Sequence, residues 1–193
     1  MKDLVIVENN QEEEFIRTAE KLGFDEIILA YNKLNSKNID VKKQNELKKK
    51  TKLKVEFGII GENLTKPEGF NDKILLGTKT SSLSKDVTIL LNNENEPEKD
   101  FTHQRRSGLN HVVITDLTKK NIEVYAGLNQ LKGKKPWEQI RILGRMKQNI
   151  KLTKKKNTKY ELVSCASTPN EMRKAKDIIA LKRVLEKENF NNN

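Results

Sequence analysis

The chain has 193 residues, of which 35% are hydrophobic and 34% charged, with a formal net charge of +11. This length and apolar content predict one folded domain rather than a disordered chain, and no apolar run approaches the roughly 18 to 20 residues of a membrane-spanning helix. The single cysteine, Cys165, excludes an intramolecular disulfide and a zinc site built from several cysteines. We therefore expect a soluble, cytoplasmic protein with no membrane partner.

Apolar, strand-like runs alternate along the chain with helix-compatible stretches. The runs predict strands near residues 3–8, 26–31, 53–60, 73–77, 87–91, 122–128 and 160–165. The stretches predict helices near residues 11–22, 40–50, 108–120, 136–152 and 169–188. Strands joined through helices pair in parallel and are covered on both faces. The order therefore predicts an α/β fold with a parallel sheet, in one domain over residues 1–188 with a frayed tail at 189–193.

Local signals suggest where several of these elements begin. Ser107 is suited to cap the third predicted helix, Pro136 suits a first helical position, and Thr168 followed by Pro169 predicts the start of the last helix. The segment 78–86 is too short for a full crossover helix. The polar connection 92–106 is longer than most loops and ends in arginines, which is typical of a functional loop.

The positive charge is concentrated in the second half of the chain. Residues 1–100 carry 17 Lys and Arg against 19 Asp and Glu, whereas residues 101–193 carry 21 against 8. This asymmetry favours one electropositive face that neutralises phosphates. The alternative is a solvated basic surface that merely follows a composition rich in Lys and Asn.

Motifs for protein-based catalysis are not found in the sequence. There is no phosphate-binding loop and no glycine fingerprint for a dinucleotide. The two histidines, His103 and His111, lack the spacing of a metal cluster, and His111 is expected to pack or cap at a helix start. We expect Cys165 in the core or at a strand end, not as a nucleophile. No metal or cofactor bound by this chain is predicted.

The fourth predicted helix is basic and amphipathic. Its apolar residues recur at helical spacing and predict one buried stripe of Trp137, Ile140, Leu143, Met146 and Ile150. Arg141, Arg145 and Gln148 fall on a separate face, with Lys147, Lys151 and Lys155 beside it. An ordinary surface helix or a helix on an anionic membrane would show the same pattern. Trp137 is expected in the core, and the aromatic content of 5% argues against recognition dominated by base stacking.

Two blocks of the sequence resemble a known protein family. The central block joins the strand at 87–91 to RRSGLNHV at 105–112 and NIEVYAGL at 121–128. The carboxyl-terminal block contains LVSCAS at 162–167, NEMR at 170–173 and DIIAL at 177–181. In order and spacing these blocks resemble the barrel-like protein subunit of archaeal and eukaryotic ribonuclease P, called component three in archaea. Residues 85–185 carry the resemblance, and the first 80 share only the order of strands and helices.

The resemblance implies a TIM-barrel-like parallel β/α barrel, similar to the polymerase-and-histidinol-phosphatase type. Members of the family usually continue beyond the point where this chain stops, so a barrel incomplete at its C-terminal end is implied. Arg173 and Asp177 match the family, whereas Lys174, Ala175 and Lys176 stand in place of a Ser-Pro-Arg step. Lys176 keeps the charge of that step but not a bidentate fork.

The resemblance also implies a role in ribonuclease P, whose catalyst is an RNA with bound magnesium. The chain would pair with the ferredoxin-like component two and support the ribonuclease P RNA in removing the 5′ leader of precursor tRNA. Basic side chains would neutralise phosphates without protein side chains doing chemistry. A general basic RNA-binding or ribosome-associated protein is the alternative. A stand-alone barrel phosphoesterase would need His and Asp ligands that the sequence lacks.

We expect the interface to read RNA shape and phosphates rather than base edges, with no catalytic residue. The basic residues expected to face RNA are Arg105, Arg106, Arg141, Arg145, Lys147, Arg173 and Lys176. The resemblance also implies which residues shape the loops that present these basic side chains. They are Ser107, Gly108, Leu109, Asn110 and His111, then Ser164, Ala166 and Ser167, and finally Asp177.

Overall fold

The computed structural model describes residues 1–8, 10–32, 41–62, 64, 73–78, 86–95, 99–100 and 105–187. The strands of these residues are β1 (Lys2–Ile6), β2 (Glu26–Asn32), β3 (Lys54–Gly61), β4 (Lys73–Gly77), β5 (Ile89–Leu91), β6 (Glu123–Gly127) and β7 (Tyr160–Val163). The α-helices are α1 (Glu12–Lys21), α2 (Val41–Lys49), α3 (His111–Lys119), α4 (Pro136–Lys155) and α5 (Ala175–Glu186). Among the described helices, none is both long and apolar enough to cross a bilayer.

All seven strands lie in one sheet in chain order, and each pairs in parallel with the next. The first and last strands approach each other just beyond β7. There, the N–H of Cys165 donates to the carbonyl of Leu4 at 2.8 Å, and the N–H of Ile6 donates to the carbonyl of Ala166 at 2.9 Å. The sheet thus curls into a TIM-barrel-like β/α barrel whose seam between β1 and β7 is not fully sealed. The predicted fold class is confirmed.

Both faces of the curled sheet are buried because successive side chains along each strand point to opposite sides. Leu4, Ile28 and Tyr125 belong to a cluster that fills the barrel interior. Alternate positions such as Leu29 and Val124 pack outward against the helices. Cys165 is fully buried in the interior cluster, as predicted for a core cysteine.

Polar side chains join the two edges of the seam on the helix-covered side. The carboxylate of Asp3 is fully buried and accepts the N–H and the Oγ–H of Ser164, each at 2.7 Å. Burial raises the pKa of Asp3 from 3.8 to about 6, although these hydrogen bonds lower it. The two residues are separated by 161 positions in sequence, so this contact belongs to the closed barrel alone.

The predicted elements agree with the observed ones except at two helix starts. The last helix begins at Ala175, because Pro169–Glu171 forms a short 3-10 turn and Met172 and Lys174 are extended. The third helix begins at His111 rather than at 108. Most of the 78–86 connection, His103 and the 189–193 tail lie outside the described residues.

Candidate nucleic-acid interface

Most of the residues predicted to face RNA lie in or near three connections at the carboxyl ends of β5, β6 and β7. Arg105 and Arg106 precede α3, Arg141 lies in the second turn of α4, and Arg173 and Lys176 flank the start of α5. Since these three strands are neighbours in the sheet, their following connections are neighbours at one end of the barrel. That end carries the functional loops in barrels of this architecture.

A buried polar cluster anchors the connection after β5 to α4. The Glu94 carboxylate is fully buried and accepts hydrogen bonds from Asn149 at 2.8 Å, Tyr160 at 2.8 Å and Gln130 at 3.2 Å. Burial raises the pKa of Glu94, while these donors favour the charged form. Asn149 lies on α4, Tyr160 on β7 and Gln130 in the connection after β6, so the cluster holds the loop in place.

Arg145 belongs to this anchor and not to the surface. Its side chain is 0% exposed, and its Nε donates to Asp100 Oδ1 at 2.8 Å while Nη1 donates to the carbonyl of Glu94 at 3.0 Å. The prediction that Arg145 faces RNA is therefore wrong. Helical spacing grouped it with Arg141, but the loop after β5 folds over it and supplies its acceptors.

Asp100 links the buried anchor to the exposed arginines of the same loop. Its carboxylate accepts the backbone N–H of Arg106 at 3.0 Å and pairs with Arg105 Nη1 at 3.3 Å, besides Arg145. Partial burial raises the pKa of Asp100, but the Arg145 hydrogen bond and the Arg106 N–H outweigh it and hold the pKa below its usual value. The exposed side chains of Arg105 and Arg106 are thus carried on a fixed backbone.

Ser107 is a buried connector rather than a helix cap. Its hydroxyl donates to Asn149 Oδ1 at 2.6 Å, and Gln148 contacts the backbone of Arg105 through both ends of its amide, at 3.0 and 2.9 Å. Asn110 caps α3 instead, because its Oδ1 accepts the N–H groups of Val112 and Val113, both at 2.9 Å.

The remaining residues of this motif have distinct places. Leu109 is buried in the main core. Gly108 has a φ of +72°, and a Cβ there would lie 2.2 Å from the Asn93 amide, so the turn requires glycine. His111 is exposed and does not cap α3, so the expectation of a packing or capping histidine is wrong.

A glycine lets Arg105 lie across the surface of α4. A Cβ on Gly144 would lie 2.5 Å from Arg105 Cζ, so the guanidinium occupies the space that a side chain would fill. Gly144 follows Arg141 by three positions, which places the two arginines about one helical turn apart on α4. The fold thereby brings together two predicted RNA-facing arginines that are 36 positions apart in the chain.

Arg141 contacts Trp137 at the outer surface of α4. The guanidinium lies over the indole at 5.2 Å from the ring centroid. Trp137 is 57% exposed and Ile140 is 67% exposed. The prediction that both lie in the core is therefore wrong. The buried positions of α4 are Ile142, Arg145, Met146, Asn149, Ile150 and Thr153. We call the outer surface formed by Trp137, Arg141, Gly144 and Gln148 the α4 face.

The connection after β7 forms the wall of a small cavity with the connection after β6. The cavity has a volume of about 200 Å³, and Arg173 lines it together with Ser164, Ala166 and Asn129. The N–H of Ser167 donates to Glu171 Oε2 at 3.0 Å. Lys176 and Asp177 are exposed in the first turn of α5, and Lys147 is half-buried on α4. These residues stay candidates for RNA contact or support.

Possible metal ligands and the single cysteine are the described groups that bear most directly on catalysis. No group of three or more His, Cys, Asp or Glu among them is placed to hold a metal ion. Burial, with the nearby Asp3 and Glu94, raises the pKa of Cys165 well above its usual value. The thiol is therefore protonated at neutral pH and a poor nucleophile.

No family model matches the chain, and no curated protein matches it significantly. A matching solved structure is a chain in the cryo-EM structure of archaeal ribonuclease P with mature tRNA. The TM-score is 0.72, with 18% identity over 97% of this chain and 83% of that chain. The two chains share one fold. This agreement confirms the sequence resemblance at the level of the fold.

The sequence did not reveal the residues that position this interface. Glu94 and Asp100 stand in an acidic, Asn-rich loop that resembles any solvated connection, and Asn149 looks like an ordinary helix residue. The side-chain contacts of Glu94 and Asn149 join positions 36 to 66 residues apart, and the contact of Asp100 with Arg145 spans 45 positions. One available signal was Gly144, a residue unfavourable inside a helix that marks the close approach of another group.

Proposed function

We propose that this protein is a subunit of ribonuclease P that supports the catalytic RNA in removing the 5′ leader from precursor tRNA. The observation that carries the proposal is the fold shared with the archaeal ribonuclease P chain across 97% of the sequence. The motif residues at 105–111 and 164–167 add support, because the barrel brings both to one end. Component two, the ribonuclease P RNA and, through them, precursor tRNA are the proposed partners, in the cytoplasm.

The protein contributes cations in fixed positions rather than a reactive group. Arg105 and Arg141 lie about one turn apart on the α4 face, and Arg106 follows on the same anchored loop. Such cations neutralise backbone phosphates and release counterions, which stabilises a compact RNA fold. Magnesium ions held by the RNA then supply the chemistry of phosphodiester hydrolysis.

The test is cleavage of precursor tRNA at limiting magnesium by the cognate catalytic RNA. Component two alone is compared with component two plus this protein, and then with the Arg105→Glu, Arg141→Glu double variant. We expect the wild-type protein to raise the cleavage rate and the double variant to lose most of that gain. The difference between the two proteins should narrow as salt increases, because the variant releases fewer counterions on binding RNA. Arg145 is left unchanged, because a buried Glu there would unfold the protein.

A matched control reverses two arginines elsewhere on the surface. Arg17 lies on α1 and Arg183 in the last turn of α5, and both are exposed. The Arg17→Glu, Arg183→Glu variant has the same net charge as the test variant and should retain the wild-type gain. Equal loss in both variants would point to a general electrostatic effect and to the alternative of a general RNA-binding protein. No gain from the wild-type protein would reject the ribonuclease P assignment.

A further inference from the structure

An aromatic side chain at the start of α4 stands out on the surface. Large hydrophobic side chains that the described residues leave exposed are few, and Trp137 and Ile140 are neighbours among them. Both lie in the first two turns of the helix, beside the connection after β6. More than half of the indole surface is exposed to water. A ligand that covers this apolar area removes it from water, which favours binding.

The position of the indole is defined by contacts at the start of α4. Pro136 occupies the first turn of α4, where its fixed φ favours the helix. The Glu138 carboxylate accepts the backbone N–H of Lys135 at 3.0 Å and closes the helix start. The Arg141 guanidinium rests on the ring and restricts its motion. A ligand therefore meets a preformed surface and loses little conformational entropy in binding.

The surroundings of the indole are cationic. Lys134 and Lys135 precede it in the chain, whereas the charge of Lys132 is paired with Glu171. Arg105 lies about two turns further along α4, over Gly144. Within the described residues Arg141 makes no ion pair, and its contact is with the ring. An apolar patch of a protein partner gains nothing from this charge. An unpaired nucleotide matches it, because its base stacks on the ring while its phosphate meets the cations.

We propose that Trp137 and Arg141 form a stacking platform for one unpaired nucleobase of an RNA. The inference rests on the proposed function and adds a second mode of contact, because the other predicted residues address phosphates alone. The flanking cations of the α4 face guide the adjoining backbone. The ligand is thus a single-stranded loop or end, since bases inside a duplex do not present a free face.

The test uses the indole itself, since Trp137 is the one tryptophan of the chain. Fluorescence of the full-length protein is followed during titration with three probes, namely a short oligoadenylate, an RNA duplex of the same length and inorganic polyphosphate. Stacking predicts strong quenching by oligoadenylate and little by the other two. Equal quenching by polyphosphate or by the duplex would overturn the proposal, because charge alone would then explain the signal.

Variants of Trp137 separate stacking from apolar burial. Binding of a labelled oligoadenylate is expected to weaken about 5- to 150-fold in Trp137→Ala and in Trp137→Leu, and far less in Trp137→Phe, which keeps a ring. A protein-docking surface would instead accept Leu, so unchanged RNA affinity in Trp137→Leu would reject the platform. The three variants are compared in the precursor tRNA assay too. If wild-type stimulation is present while oligoadenylate binding is insensitive to Trp137, this inference fails and the proposed function stands.

Discussion

Three arginines that the sequence predicts to face RNA occupy different environments in the fold. Arg145 is buried and hydrogen-bonded, Arg105 is exposed and paired with Asp100, and Arg141 lies against an indole. A guanidinium offers five donors in a planar fork, which allows it to serve as a structural connector as readily as a phosphate ligand. Burial and acceptors, not charge, decide which role each one has.

The first prediction contrasts Arg145 with Arg141. Arg145→Met is expected to lower the free energy of unfolding by about 3–5 kcal/mol, because the change removes the charged partner of Asp100 and the donor to the Glu94 carbonyl. Urea unfolding followed by circular dichroism measures this. Arg141→Met serves as the control, with an expected loss below about 1 kcal/mol. Equal unfolding midpoints for the two variants would contradict the anchoring role of Arg145.

The helix α4 has two functions on adjoining sides. Its inner side carries Asn149 and Arg145 into the buried cluster, and its outer side forms the α4 face. Gly144 stands where a longer side chain would displace Arg105. A helix that were optimal for stability alone would not carry glycine at this position.

The second prediction is that Gly144→Ala separates stability from RNA binding. Alanine favours the helix by up to about 1 kcal/mol relative to glycine, so the unfolding midpoint should hold or rise. The new Cβ displaces the Arg105 guanidinium, so affinity for the ribonuclease P RNA, measured by filter binding, should fall. The fall should match that of Arg105→Ala, and adding Arg105→Ala to Gly144→Ala should cause little further loss. Unchanged affinity in Gly144→Ala would show that the position of Arg105 is irrelevant.

The third prediction concerns the start of α3. Asn110→Ala removes the side-chain oxygen that accepts two backbone N–H groups, and it should lower the free energy of unfolding by about 1 kcal/mol. Asn110→Ser should recover much of the loss, because serine is also a good cap. Urea unfolding of both variants provides the measurement. Equal stability of Asn110→Ala and the wild type would indicate that the helix start is held by other contacts.

At the scale of the whole molecule, closure of the barrel depends on few contacts. β1 and β7 share two backbone hydrogen bonds near Leu4 and Ala166, together with the contact between Asp3 and Ser164. Continuous strand pairing supports every other junction in the sheet. The seam is therefore the junction most sensitive to a change in protonation.

The fourth prediction is a pH dependence of stability from Asp3. The folded carboxyl ionises near pH 6 and the unfolded one near 3.8, so between these values the folded state holds a proton that the unfolded state has lost. The contribution of Asp3 to the free energy of unfolding is fully present below pH 4. It falls by roughly 3 kcal/mol as the pH rises through 6. Asp3→Asn removes this pH dependence and keeps an acceptor for the Ser164 N–H.

The measurement compares urea midpoints of the wild type and Asp3→Asn from pH 4 to pH 7. The difference between the two curves should shift in favour of Asp3→Asn as the pH rises, while Glu94 titrates in both proteins and cancels. Asp116→Asn, at an exposed i,i+4 ion pair with Lys120, is the control and should leave the pH dependence nearly unchanged. Parallel curves for wild type and Asp3→Asn would contradict the buried carboxyl at the seam.

The sequence by itself determined the strands, the helices and their parallel arrangement. These features follow from apolar runs and helical spacing, which depend on near neighbours such as Val87 to Leu91 or the residues of α4. The same local patterns placed RRSGLNHV after β5 and LVSCAS at the end of β7, two strands that flank β6 in the sheet. Residues at the carboxyl ends of neighbouring parallel strands then meet at one end of the barrel, whatever the details of packing.

The tertiary structure alone decided which side chains of α4 face solvent. A helical pattern gives the spacing of side chains but not which of two mixed faces the rest of the chain will cover. Here the loop after β5 covers Arg145 and Asn149, which leaves Trp137 and Ile140 outside. The acceptors in Glu94 and Asp100 lie dozens of residues away, and the burial of a charged group depends on such distant partners.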